Sequence, residues 1–139
     1  MSSVKTYDPR LLQIALGNHV VSGAADGDFL TIEPHGDGVD KQVGAYGEVV
    51  RSIDPDETVT ITIGLQYSAE TLKYCGDMYD RDRATHGEGM FPILIKDLKG
   101  TTVCSAGEAW VTNKPDQTYG KTASDREIVI ETGPASYHL

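Results

Sequence analysis

Apolar and polar positions alternate most regularly in TVTITIGLQ, residues 58–66. Val59, Ile61, Ile63 and Leu65 fall on one side, and Thr58, Thr60, Thr62 and Gln66 on the other. A period of two in a β-branched run predicts a strand with one packed and one wet face. Leu12, Ile14 and Leu16 in LLQIALG, and Leu30 and Ile32 in DFLTIEP, keep the same phase over shorter runs that stop at glycine or proline. VVRSI, FPILIKDL, TVCSAGEAWVT and REIVIET read as further strands. Together these segments predict a mainly β chain, an antiparallel β-sandwich or barrel. Trp110, on one of these strands, is expected in the core.

The period changes to that of a helix only in SAETLKYCGDMYDRD. Ser68 is the expected N-cap, Glu70 lies in the first turn, and Leu72, Cys75, Met78 and Tyr79 recur on one face. Gly76 weakens that helix. One short α-helix is therefore expected to cover an end or a face of the sheet structure. Residues 34–48, 81–90 and 113–125 lack either period and read as long loops, which in a small domain are functional or ordered by a partner.

With 139 residues, the chain is expected to form one domain over 1–139. No apolar run reaches the roughly 18 residues that would span a bilayer, so no membrane insertion is expected. MSSVKTYDPR lacks the apolar stretch of a secretory signal, which predicts folding in a cytoplasm. Cys75 and Cys104 are far apart without CxxC spacing and fit buried free thiols. The formal net charge is -9 with no basic block, which disfavours tight nucleic-acid binding but suits a surface that nucleic acid must pass without sticking.

Tests for chemistry find little. GAADGDFLTIEP, residues 23–34, offers Asp26 and Asp28 at the first and third positions of a calcium loop, but Leu30 and Thr31 occupy the fifth and sixth, where a ligand and a glycine are needed. It reads instead as a turn feeding a strand. The four histidines have no HxH, HxxxH or HExxH spacing, and GxSxG, GxxxxGK[ST] and a strand-linked GxGxxG are absent. The acid pairs Asp54/Asp56 and Asp80/Asp82 fit turns better than a hydrolytic cleft. No catalytic residue and no cofactor is expected.

The ordered series VSGAADGDFLTIE, VGAYGEVVRS, DETVTITIGLQYSAETL, FPILIKDLKGTTV, GEAWVTNKPD and SDREIVIET resembles the tail tube proteins of bacteriophages with contractile tails, over about residues 8–132. The segment TGPASYHL departs from that pattern. The resemblance implies a tail-tube β-fold whose subunits form homohexameric rings stacked into a hollow tube. Such a tube lies inside a sheath, meets tape measure, baseplate and tail terminator proteins, and passes double-stranded DNA without specific binding. It also implies a place in the virion tail after assembly in the host cytoplasm; related tubes occur in tailocins and type VI secretion.

On that reading Thr58, Thr60, Thr62, Gln66, Glu127 and Glu131 are expected to face the lumen, where hydroxyls and negative charge keep phosphates from adhering. Gly36, Asp37, Gly38, Lys41, Tyr46 and Arg51 are expected to contact neighbouring rings or subunits. The alternative is a calcium-dependent β-sandwich binding module of a baseplate or surface protein, with Asp26, Asp28, Asp37 and Asp40 as ligands.

Overall fold

A computed structural model describes residues 4–139. The leader reading extends over residues 1–3, which lie outside the described residues. The alternating run becomes a strand in which every odd position from Val59 to Leu65 is buried and every even one is half-exposed. The same rule, in which successive side chains point to opposite faces, shapes most of the rest. In chain order the strands are β1 (Leu12–Leu16), β2 (His19–Val20), β3 (Leu30–Pro34), β4 (Val39–Val43), β5 (Val49–Ile53), β6 (Val59–Leu65), β7 (Phe91–Asp97), β8 (Thr101–Val111), β9 (Arg126–Thr132) and β10 (Ala135–Tyr137). The helix α1 spans Glu70–Thr85 between β6 and β7. The chain is thus mainly antiparallel β with one α-helix among the described residues, as the pattern predicts.

Eight strands form one sheet in the order β2-β1-β7-β8-β9-β6-β3, with β10 added beside β8. Among the described residues β4 and β5 pair only with each other. β8 is long enough to serve two neighbourhoods: Cys104–Ala106 pair with β7 and β10, whereas Ala109–Val111 pair with β9. Register shifts along β7 and β8, one of them at Pro92, let the sheet bend there, since a bulge adds local twist.

Residues 21–25 cross between the two sides of the bent sheet. The Val21 N–H donates to Ile14 on β1, the Ala25 N–H donates to Gly64 on β6, and Gly23 accepts from the Gln66 N–H. The result is one apolar cluster in which Ile14 and Leu16 share an interior with Ile61, Ile63, Ile93, Ile128 and Ile130. Burying each such side chain contributes roughly 1.5–3 kcal/mol.

The helix departs from the sequence reading at both ends. Ser68 does not cap it: Ala69 is the N-cap, with no side-chain hydrogen bond, because the turn closed by the Ala69 N–H on Gln66 O leaves Ser68 one residue too early. Thr71 holds this end instead. Its buried hydroxyl donates to Ser22 O, accepts from the Ser22 N–H at 3.0 Å and meets His19 Nε2 at 2.8 Å. At the other end the helix runs through residues 81–85, which read as loop, and stops at His86 in the left-handed conformation. The last turn faces water, so no apolar period marks it. Cys75 is buried, with Leu72, Met78 and Tyr79 packed against the core, as the periodicity predicts.

The remaining departures share one cause, an absent or misleading contrast between faces. Residues 34–48 read as aperiodic yet contain β4, and the C-terminal departure TGPASYHL contains β10. Trp110 is not a core residue. Ala109 and Val111 take the inward positions of β8, which turns Trp110, half-buried, to the opposite face beside Glu131.

Candidate functional site

Two surfaces stand out, one on the sheet and one beside it. On the sheet, the outward positions of β3, β6, β9 and β8 line up across the strands. Glu33, Thr60, Glu131 and Trp110 form one row, and Thr31, Thr62 and Val129 the next. Glu127 lies opposite Gly64 at the end of the patch. On β3, β6 and β9 this face offers carboxylates and hydroxyls and no cation; Arg126 takes an inward, buried position. It is held by the Ser124 carbonyl and the Tyr119 ring, 5.2 Å from the guanidinium carbon.

Glu131 organises the centre of the patch. One carboxylate oxygen accepts from the Thr60 hydroxyl at 2.9 Å, and the other lies 3.2 Å from His35 Nε2, which also meets Thr60 Oγ1. His35 in turn begins the segment leading to β4, so this cluster ties the sheet to the base of the hairpin.

Of the residues expected on a lumen face, Thr60, Thr62, Glu127 and Glu131 share this patch. Thr58 and Gln66 lie just beyond the ends of β6. The Thr58 hydroxyl and N–H both donate to Asp56, and these hydrogen bonds hold the Asp56 carboxyl below the usual carboxylate range. Glu33, Thr31, Trp110 and His35 belong to the same surface and are not expected there from sequence, which places Trp110 in the core. Their membership depends on the register of β3 and β8 against their neighbours, which no local pattern encodes.

The second surface is the β4–β5 hairpin, exposed along both strands. Register places Val39 opposite Ile53, Lys41 opposite Arg51, and Val43 opposite Val49 on one face. Asp40, Gln42, Val50 and Ser52 occupy the other. Tyr46 stands at the tip, 94% exposed. The apolar residues here are therefore not core residues of this chain, and they flank two paired cations.

Aspartates shape the hairpin base. Asp54 accepts from the Asp37 and Asp56 N–H groups, and the Asp54 N–H donates to Gly38 O. Gly36 is half-buried against this turn, where a Cβ would lie 2.3 Å from Asp56 O, and Gly38 adopts φ +77. Among the residues expected to contact neighbours, Lys41, Tyr46 and Arg51 thus project with the hairpin, whereas Gly36, Asp37 and Gly38 build its hinge.

The calcium alternative finds no geometry. Asp26 and Asp28 lie in the turn before β3, Asp37 at the hairpin base and Asp40 on β4, and no three His, Cys, Asp or Glu side chains converge to hold a metal ion among the described residues. The acid pairs serve locally: Asp80 bridges to Lys114 at 2.9 Å, and Asp82 accepts from the Gly89 N–H. Cys75 and Cys104 are buried free thiols, and burial pushes the Cys75 thiol up to about 12.

Comparison with known proteins places this arrangement. The family model described as the bacteriophage PhiTE tail tube protein matches residues 13–138. Structural protein ORF10 of Pseudomonas phage KPP10 is 24% identical over 132 residues, covering 90% of this chain and 76% of the phage protein. The anti-feeding prophage cap, a tube terminating cap, superposes with a TM-score of 0.61 at 10% identity, over 99% of this chain and 94% of the cap. The sheath/tube terminator of the extracellular contractile injection system PVC, in its extended state, gives 0.60 at 9% identity, over 99% and 100%. Likeness at such low identity is a likeness of fold.

Proposed function

Because the chain belongs to the bacteriophage PhiTE tail tube protein family, we propose that it is the tube subunit of a contractile tail, assembled as stacked hexameric rings around a hollow channel for genome ejection. The observation that carries this reading is the exposed β4–β5 hairpin, whose face of valines, Ile53, Lys41 and Arg51 has no core of its own to join. A projecting strand pair with an apolar face is a means of joining copies.

In the tube, the patch around Thr60, Thr62, Glu127 and Glu131 lines the channel, with Thr58 and Gln66 at its ends. Its carboxylates repel DNA phosphates, and its hydroxyls hold water against the passing duplex. Lys41, Tyr46 and Arg51 make contacts between subunits, with Gly36, Asp37 and Gly38 setting the angle at which the hairpin leaves the body. The subunit has no catalytic role. Its partners are copies of itself, the sheath, and the tape measure, baseplate and terminator proteins at the tube ends. It resides in the virion tail after assembly in the host cytoplasm.

Negative-stain microscopy of the purified protein tests the assignment. Rings or hollow tubes are expected. A monomer that stays monodisperse at high concentration, and forms no tubes with its tail assembly partners, contradicts it. Within assembled particles, Glu127→Lys with Glu131→Lys is expected to lower genome ejection more than tube yield; unchanged ejection removes the lumen assignment.

A further inference from the structure

The paired cations of the hairpin pose a physical problem. Lys41 and Arg51 are direct cross-strand partners, and like charges at such positions destabilise a strand pair. A two-stranded hairpin is in any case marginal alone in water. Neither cation has an ion-pair partner among the described residues, in a chain with a formal net charge of -9. Val39, Val43, Val49 and Ile53 flank the pair, each more than half exposed. The complementary surface is therefore an apolar furrow with unpaired carboxylates at its rim, long enough for strands of about 17 Å.

The body of the molecule has such a furrow. It lies between β1 and the segment that leads into β3, where residues 21–25 bridge the two sides of the bent sheet. Leu12, Ile14, Val21 and Phe29 line a groove of about 420 Å³ with Asp26 at its edge; Arg10 also lines it, its charge taken up by Asp8 at 2.8 Å. A second groove of about 310 Å³ continues from it past Leu12 and Phe29 to Asp28 and Leu30. Neither the Asp26 nor the Asp28 carboxylate has a partner among the described residues.

We infer that this furrow receives the β4–β5 hairpin of a second copy, with Lys41 and Arg51 set against Asp26 and Asp28. The inference rests on reading the hairpin as an assembly element and adds the surface that accepts it. The valines and Ile53 displace water from the furrow, and the carboxylates relieve the repulsion between the two cations. The turn GAADGDF thereby acquires a use for its aspartates: they select a cationic strand pair over a neutral one.

Zero-length carbodiimide crosslinking of an equimolar mixture of isotopically light and heavy protein tests this directly. The expected product is a light-to-heavy bond between Lys41 and Asp26 or Asp28. That bond cannot form in Lys41→Glu/Arg51→Glu or in Asp26→Lys/Asp28→Lys, which each lack one reacting group, so these variants are read by microscopy, where tubes should be lost in each; Arg51→Glu, which keeps both reacting groups, should lower the yield of the bond severalfold. Mixing the two double variants should restore assembly with the two alternating, since the acidic hairpin of one meets the basic furrow of the other and the basic hairpin meets the acidic furrow, and the quadruple variant, with both surfaces reversed, should assemble on its own. Tubes whose Lys41 crosslinks map elsewhere, or an Asp26→Lys/Asp28→Lys variant that assembles like wild type, overturn the furrow and leave the tube reading standing. The Lys41–Asp26 or Lys41–Asp28 bond in a protein that never forms tubes supports the furrow and removes the tube reading. A wild-type protein with neither intermolecular bond nor tubes removes both.

Discussion

Strands β6 and β9 and the hairpin β4–β5 are made from the same residue types, yet they place them oppositely. In β6 and β9 the isoleucines point into one shared interior and are at most 1% exposed. In the hairpin Val39, Val43, Val49 and Ile53 point into water and are 56% to 71% exposed. Both are antiparallel ladders, and they differ in what covers the apolar face. The body supplies its own cover; the hairpin face has none among the described residues, and the proposed assembly gives it one. A mutation's effect should therefore separate into folding for the first region and assembly for the second.

The largest expected loss of stability comes from the sheet. Ile61→Ala leaves a cavity in the shared interior, where Ile61 is fully buried, and should cost about 2–5 kcal/mol, read as a lower midpoint in urea at unchanged slope. Next is the tie between helix and sheet. Thr71→Val strands the Ser22 N–H and removes the contact with His19, a cost of about 1–3 kcal/mol, while Thr71→Ser retains most of it. Equal midpoints for Thr71→Val and wild type would show that another contact anchors the helix.

Alkali supplies a third, smaller effect. The Cys75 thiol titrates near 12 when folded against 9.0 for the ordinary group, so above pH 9 the unfolded chain sheds its proton first. Stability is therefore full below that range and declines as pH rises through it, by about 1.4 kcal/mol at pH 10 from this thiol. Comparison of Cys75→Ala with wild type at pH 8 and pH 10 isolates the contribution: the variant should lose less on alkalisation. The smallest folding effect belongs to the hairpin. Ile53→Ala should move the monomer's midpoint by no more than about 0.5 kcal/mol, yet reduce assembly, and a loss comparable to Ile61→Ala would erase the contrast between the regions.

That contrast also explains what could be read from sequence. Where one face is packed and the other wet, as in Val59–Leu65 or Arg126–Thr132, alternation reveals both the strand and its buried side. In β4 both faces are exposed, so Val39, Lys41 and Val43 carry no such contrast and the strand was hidden. Trp110 shows the reverse error: size argued for the core, but its parity on β8, set by Ala109 and Val111, turns it outward. The sheet patch was half legible for a related reason. Thr60, Thr62, Glu127 and Glu131 share alternating segments, whereas Glu33 and His35 join them only through pairing between strands distant in the chain.

The central claim, that the hairpin completes its burial on another copy in a tube, is tested most directly by cryo-electron microscopy of the assembled wild-type protein. The account predicts hollow tubes in which Val39, Lys41, Val43, Val49, Arg51 and Ile53 are covered by a neighbouring subunit, while Thr60 and Glu131 face the central channel. Tubes in which that hairpin face remains in solvent, or in which Thr60 and Glu131 lie on the outer wall, would contradict it.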